Sequence, residues 1–385
     1  MPRIERGLFG KYSVDDSVLN RGGVGMIHHT IDPSFVYKRY LSARNLPSRA
    51  NLDRLIKIGR DVLISQKKKP GDTPESSVNW PLDMVLDGNG VVTGVVFPTI
   101  PSVLFHEPKT VRTLDFLVLA RAKPPPAKGR VVLLLRMAEI MAFINARGLV
   151  HGDINAKNLA WTLHPDPIMY LIDCDGMLPQ SPAPTTGVGA ANWTDPRVVD
   201  KVVRAHDHYS DWYCLALAMY RGLLLTHGVL DKTSDGRWPG PSKIPPELNS
   251  ELAHLIHRGL SNPLASPPQR PTPKEWVDAL VRAYLPNGDF DEDALDILDT
   301  ISAPKPTPGT HFTPVPPIKP KPTFPLPPLL PRRPVSPPQH AWPVPSPQPT
   351  QRRPPPLYPP PPSARQQQKK WPRPQPGGEL RRDRP

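Results

Sequence analysis

Asp153, Asn158 and Asp173 are the residues whose types and spacing could do chemistry. They stand in His151-Gly152-Asp153, in Asn158 after four intervening residues, and in Leu171-Ile172-Asp173-Cys174-Asp175-Gly176. Two carboxylates and an amide in this order suit phosphoryl transfer from a magnesium nucleotide. The first Asp can orient an attacking hydroxyl, the Asn can hold a metal, and the second Asp can hold the metals that bridge the phosphates. So short a pattern gains its force from what surrounds it in the chain.

The elements that must position these side chains can be read on both sides. Residues 17–40 predict a strand, a Gly-rich turn, a strand, a short turn and a third strand. Gly22-Gly23-Val24-Gly25 can bring backbone amides close to phosphates, because glycine lacks a β-carbon. Lys38 follows Val36-Tyr37 on the next strand, where its ammonium could reach phosphate oxygens. Residues 50–64 predict a helix from Leu52, Leu55, Ile56 and Val62-Leu63. A loop over 66–77 and a hairpin around Asp87-Gly88-Asn89-Gly90 come next. Residues 111–148 predict helices broken at Pro124-Pro125-Pro126. The second of these, Val131 to Asn145, is apolar nearly all round and is expected to be buried. It leads into His151-Gly152-Asp153, and a hairpin around His164-Pro165-Asp166-Pro167 then delivers Asp173. Downstream, Asp195-Pro196-Arg197 ends a Pro/Gly/Thr-rich run. Asp211 opens an apolar helix, and Gln269-Arg270-Pro271-Thr272 precedes another.

From about residue 15 to 285 this series resembles the catalytic core of the protein-kinase superfamily, most like bacterial eukaryotic-like Ser/Thr kinases of the HGD type. The resemblance implies an α+β, bilobal protein-kinase-like fold. A small β-rich N-lobe is expected over 12–100 and a helical C-lobe over 101–287, with a hinge at Pro98-Thr99-Ile100-Pro101. A linker over 288–302 and a Pro-rich basic disordered tail over 303–385 would follow. It implies that Gly22, Gly23, Gly25 and Lys38 bind ATP, that Asn158 and Asp173 bind Mg2+, and that Asp153 accepts the proton of the attacking hydroxyl. The implied reaction transfers the γ-phosphate of ATP to Ser or Thr hydroxyls of a protein. His151 would be a buried structural histidine, and Asp211 would cap the backbone of the catalytic loop.

The sequence departs from that family at defined places. Asn20 stands where the first loop glycine is expected. The helix over 50–64 has no glutamate for the strand lysine; Asp53 is the nearest substitute, either pairing with Lys38 or only solvating the helix. Gly152 replaces the arginine that reads a phosphorylated activation segment. Phosphorylation at Ser181, Thr185, Thr186 or Thr194 is therefore not expected to be an obligatory switch. Asn155 replaces a phosphate-contacting lysine. Asp175 stands where the family has glycine, and either adds a carboxylate to the metal site or begins a turn. Arg197 occupies the position of the glutamate that pairs with the late arginine, here Arg270, so Asp195 substitutes or the region is braced differently. Two alternatives stay open. One is a small-molecule phosphotransferase resembling aminoglycoside kinases; the other is a nucleotide-binding pseudokinase scaffold that recruits partners through its tail.

Composition divides the chain. Residues 301–385 hold 14 Lys/Arg against 2 Asp/Glu and 30 of the 58 prolines, whereas the first 300 residues carry 34 basic and 33 acidic side chains. The high isoelectric point belongs to the tail, and no nucleic-acid surface is expected on the folded domain. The tail's composition predicts disorder with polyproline II character. Pro328-Leu329-Leu330-Pro331-Arg332-Arg333 and Pro355-Pro356-Leu357-Tyr358 match SH3-like and WW ligands; a plain basic linker attracting acidic partners is the alternative. Two cysteines, Cys174 and Cys214, make neither a disulfide framework nor a metal cluster. His28, His29, His206 and His208 have no zinc spacing and are expected to be solvated. No apolar run has the length of a membrane span, and with no signal-like N-terminus a cytoplasmic location is expected.

Overall fold

The computed structural model describes residues 2–42, 46–107, 110–119, 124–180, 190, 192–226, 232–241, 244–264 and 267–303. All the described elements belong to one unit, Met1–Thr310. The architecture is mixed, with a β-rich N-terminal region and a helical C-terminal part.

The N-terminal region is built on β1 (Arg3–Arg6), β2 (Lys11–Arg21), β3 (Gly25–Thr30), β4 (Phe35–Tyr40), β5 (Asp83–Leu86) and β6 (Val92–Pro98). These form an antiparallel sheet in the order β1-β2-β3-β4-β6-β5. Successive strand residues face opposite sides, so Val36, Lys38 and Tyr40 share one face of β4. That face meets helix α1 (Arg49–Arg60), and Val36, Tyr40, Leu52, Ile56, Met84 and Val95 pack into one cluster. Helix α1 starts because Ser48 caps it, its hydroxyl accepting from Asn51 N; such a cap is worth about 1 kcal/mol. The helix ends earlier than residue 64, running on as one wide π-type turn, Asp61–Ser65. The sheet also begins earlier than residue 12. Strand β1 pairs with β2, and the turn between them is held by Asp83, which accepts from Leu8 N, Phe9 N and the Tyr12 hydroxyl at 2.9–3.0 Å.

A short 3-10 turn, Ser102–Leu104, and the small pair β7 (Phe105–Glu107) and β8 (Thr110–Val111) lead to the helical part. Its helices are α2 (Leu114–Leu119), α3 (Ala127–Ala146), α4 (Pro196–Val199), α5 (His208–Leu224), α6 (Ser250–Leu260), α7 (Pro273–Tyr284) and α8 (Glu292–Ser302). Helix α3 is apolar round most of its circumference because α5, α7 and α8 pack against it. Two short antiparallel pairs lie beside it: β9 (Leu149–Val150) with β12 (Leu178–Pro179), and β10 (Leu159–Thr162) with β11 (Ile168–Leu171).

Residues 288–302 are not a linker. Helix α8 occupies most of them, burying Leu295 and Leu298. Its Asp299 carboxylate accepts from Ala127 N and from the buried Arg130 guanidinium, which also donates to Ser302 Oγ. The residues beyond 303, and with them the Pro-rich motifs, lie outside the described residues, as do Ser181, Thr185 and Thr186. No described helix is long and apolar enough to cross a membrane.

Candidate functional site

Lys38 comes to the α1 face of the sheet by strand alternation. Gly25, across on β3, is buried beneath it: a β-carbon there would stand 3.1 Å from Lys38 Cγ and 2.9 Å from Arg39 O. The glycine thus lets the lysine stem lie flat against the neighbouring strand. Gly22 and Gly23 are exposed in the turn, which Gly22 N closes by donating to Gly25 O at 2.9 Å. The three glycines therefore divide into a tip, Gly22 and Gly23, and a packing position, Gly25.

Asp153 follows the β9 strand. Two features of the backbone fix the loop. Gly152 has φ +76°, a left-handed conformation that side chains disfavour. Asp211, at the start of α5, accepts from His151 N at 2.7 Å and Gly152 N at 2.9 Å. Burial pushes Asp211 up to about 7, with the two backbone N–H groups pulling the other way. His151 is buried, and burial pushes it down to about 4, so its ring is neutral; Asp153 N donates to its Nδ1. His28 and His206 are buried as well, against the expectation of solvated side chains.

Two amides orient the Asp153 carboxylate. Asn155 Nδ2 donates to Oδ1 at 2.9 Å, and Asn158 Nδ2 donates to Oδ2 at 3.1 Å. Burial nevertheless raises Asp153 above the usual carboxylate range; the neighbouring Asp173 adds to that, while the two amides oppose it. Asn158 in turn holds the strand that carries the second carboxylate, its carbonyl accepting from Ile172 N at 2.9 Å.

Asp173 sits at φ +62°, ψ +48°, a left-handed conformation that Asp tolerates better than most residues. It leads into a 3-10 turn, Cys174–Gly176. Lys38 Nζ donates to Asp173 Oδ1 and, at 2.8 Å, to Asp175 Oδ1. The Tyr40 hydroxyl donates to Asp175 Oδ2 at 2.7 Å. The Asp173 side chain is 45% exposed and that of Asp175 only 3%. Burial alone would lower the Lys38 pKa, but the carboxylates of Asp175 and Asp173 outweigh it and hold the amine charged. Asp53 lies on the exposed face of α1; what α1 offers this region is Asn51, whose Nδ2 donates to Met177 O.

Of the residues singled out in the sequence, Lys38 meets Asp173, Asn158 meets Asp153, and the Asn158 carbonyl meets Ile172 N next to Asp173. The sequence pointed to neither Tyr40 nor Asn51. Tyr40 was discoverable, since it lies two residues from Lys38 on the same strand face. Asp175, read as either a further metal carboxylate or the start of a turn, lies in the Cys174–Gly176 turn, and its buried carboxylate accepts from Lys38 and Tyr40.

Magnesium fits the oxygens present. Asn158 Nδ2 is committed to Asp153, which leaves its amide oxygen to ligate a cation, and the Asp173 carboxylate, bonded to Lys38 through one oxygen, is 45% exposed. Magnesium takes hard oxygens, keeps several waters and needs one or two carboxylates beside nucleotide phosphates. Among the described residues no cluster of three or more His, Cys, Asp or Glu could hold a metal by itself. A cavity of about 170 Å³ lies elsewhere, between Tyr284, Leu298 and Ile301, and contains none of these side chains.

Neither a protein-family model nor a curated protein matches this sequence.

Proposed function

We propose that the chain is an ATP-dependent phosphotransferase with a bilobal, protein-kinase-like arrangement, passing the γ-phosphate to a Ser or Thr hydroxyl of a protein. One observation carries this reading. Lys38 donates to Asp173, 135 residues away, and Asn158 bridges to the second carboxylate segment, its side-chain amide donating to Asp153 and its carbonyl accepting from Ile172 N, the residue before Asp173.

Each group has a part to play. Gly22 and Gly23 form a turn whose backbone can approach phosphate oxygens, and Lys38 supplies positive charge to them. Asn158 and Asp173 hold magnesium, which supplies charge neutralisation on the phosphates. Asp153, fixed by two amides and made more basic by burial, accepts the proton of the acceptor hydroxyl. The raised pKa favours this, because a base works best with its pKa nearer the working pH. Asn155 brings an uncharged donor where a lysine would contact the transferred phosphate. That feature supports a second reading, in which the acceptor is a small molecule.

The test is incubation of the purified full chain with radiolabelled ATP and magnesium, offering a general protein substrate and, separately, aminoglycosides. Label is expected on the protein, and Lys38→Met should lower transfer by about 10²-fold or more, as loss of a preorganised charge does. Label on the small molecule alone favours the second reading. Equal turnover by the Lys38→Met variant removes Lys38 from the site, and no transfer to any acceptor overturns the proposal.

A further inference from the structure

Helix α1 contains one acidic residue, Asp53, and that residue faces solvent. Lys38 is nevertheless held by a buried carboxylate. Asp175 Oδ1 accepts from Lys38 Nζ at 2.8 Å, and its Oδ2 accepts from the Tyr40 hydroxyl at 2.7 Å. Lys38 and Tyr40 are two residues apart on β4 and so point the same way. They grip the two oxygens of one carboxylate, one each.

We propose that Asp175 is the residue that positions Lys38, with no acidic side chain of α1 taking part. Its catalytic meaning rests on the phosphotransferase reading; the pairing itself does not. The argument is one of charge and place. Lys38 also donates to Asp173, whose exposed carboxylate is the one able to meet a metal. Without Asp175 the ammonium would have Asp173 as its remaining carboxylate partner and would compete with the metal for it. With Asp175 present, Lys38 has a buried carboxylate partner besides Asp173, whose side chain is 45% exposed and bonded to the lysine through one oxygen. Asp173 and Asp175 belong to one short turn, so the lysine and the metal ligand are set by a single piece of backbone. Helix α1 touches that piece through the neutral amide of Asn51 on Met177 O. The nucleotide site then depends on the Asp173–Met177 turn being in place and not on a charge carried by α1.

Two measurements test this. In the first, Mg–ATP binding and its magnesium dependence are followed by calorimetry. Asp175→Asn keeps the shape and can still bond to Tyr40. It should weaken Mg–ATP binding by about tenfold or more and shift half-saturation to higher magnesium, with a smaller fall in melting midpoint than Asp175→Leu gives, because the amide still bonds to Tyr40. Tyr40→Phe should show the same shift in weaker form, and Asp53→Asn should bind as the wild type does. Wild-type binding by Asp175→Asn, or an equal loss in Asp53→Asn, overturns the proposal. The second measurement is independent of activity. Lys38→Met, which strands the buried Asp175 carboxylate, and Asp175→Leu, which leaves Lys38 only the half-exposed Asp173, should each lower the melting midpoint. The double variant should recover much of the loss, as coupled neighbours do. Additive losses would mean that the two are not partners. A wild type that binds no nucleotide would sink the phosphotransferase reading, and the melting cycle would then still decide the pairing.

Discussion

Among the described residues, two of the clusters of carboxylates and cations are finished differently. One is Lys38, Asp173, Asp175 and Asp153. The other is Asp195, Arg197, Arg270 and Asp207, between the α4 start, α5 and the segment before α7. In the second cluster Asp195 is fully buried and saturated. Its Oδ1 accepts from Arg197 N and Arg270 Nη2 at 3.0 Å. Its Oδ2 accepts from Arg270 Nη1 and Ser210 Oγ at 2.8 Å and from Arg197 Nη2 at 2.6 Å. Asp207 takes the remaining reach of Arg197 at 2.7 and 3.1 Å. Burial pushes Asp153 and Asp195 the same way, yet Asp153 ends raised and Asp195 lowered. The difference is the partner: two neutral amides for Asp153, two guanidinium groups for Asp195. A saturated cluster braces the fold; one that leaves Asp173 half open and Asp153 basic keeps capacity for something else.

If that contrast is right, neutralising Asp153 should strike activity and spare stability. Asp153→Asn is expected to lower phosphotransfer by about 10²–10⁴-fold, the usual worth of a positioned proton acceptor. Mg–ATP binding and the melting midpoint should stay close to wild type. A large fall in melting midpoint with proportionate loss of activity would put Asp153 with the braces instead.

Asp195→Ala should do the reverse. Removing one member of a buried ionic cluster leaves the others uncompensated and costs about 3–5 kcal/mol, read by denaturant unfolding. The pH dependence has a definite sign. The folded-state pKa values of Asp195 and Asp207 lie below the usual carboxylate value because the neighbouring arginines outweigh burial. Their contribution is present above an unfolded pKa of about 3.9 and is lost as pH falls below it through the folded values. Wild type should therefore lose stability on acidification below about pH 4, and Asp195→Ala should lose less over the same interval. Parallel curves would show that the brace does not titrate as a unit.

Much of this was legible in the sequence, and the limits have physical causes. The strand–turn–strand series, the buried helix α3 and the order of Lys38, Asp153, Asn158 and Asp173 follow from local patterns that tertiary packing reinforces. Arg197 facing Arg270 looked like a conflict because a linear pattern sets one residue against one. A buried carboxylate can bridge two guanidinium groups, and Asp195 does. Asp175 remained ambiguous for a related reason: whether an acidic residue beside a glycine starts a turn or fills a buried socket depends on a strand more than 130 residues away. Helix α8 was missed because its apolar stripe, Leu295 and Leu298, is short and precedes a Pro-rich stretch that dominates the composition there.

That helix supplies the smallest expected effect and a third cluster to compare. Arg130 is fully buried, donating to Leu223 O, Asp299 Oδ1 and Ser302 Oγ at 2.8–2.9 Å. It is a brace like Asp195, and its partners end at Ser302. Cutting after Ala303 leaves every one of these bonds in place, and proline-rich sequence cannot extend a helical layer because it lacks donors. Unfolding free energy should then change by no more than about 0.5 kcal/mol, as for changes remote from packing, and turnover should hold. Cutting after Phe290 instead strips Arg130 of its carboxylate and uncovers the apolar surface that Leu295 and Leu298 bury, at about 1.5–3 kcal/mol for each leucine. Comparing the two truncations by denaturant unfolding places the end of the folded unit. A marked loss of stability on cutting after Ala303 would show that residues beyond 303 contribute to the fold. No loss on cutting after Phe290 would show that α8 is no brace at all.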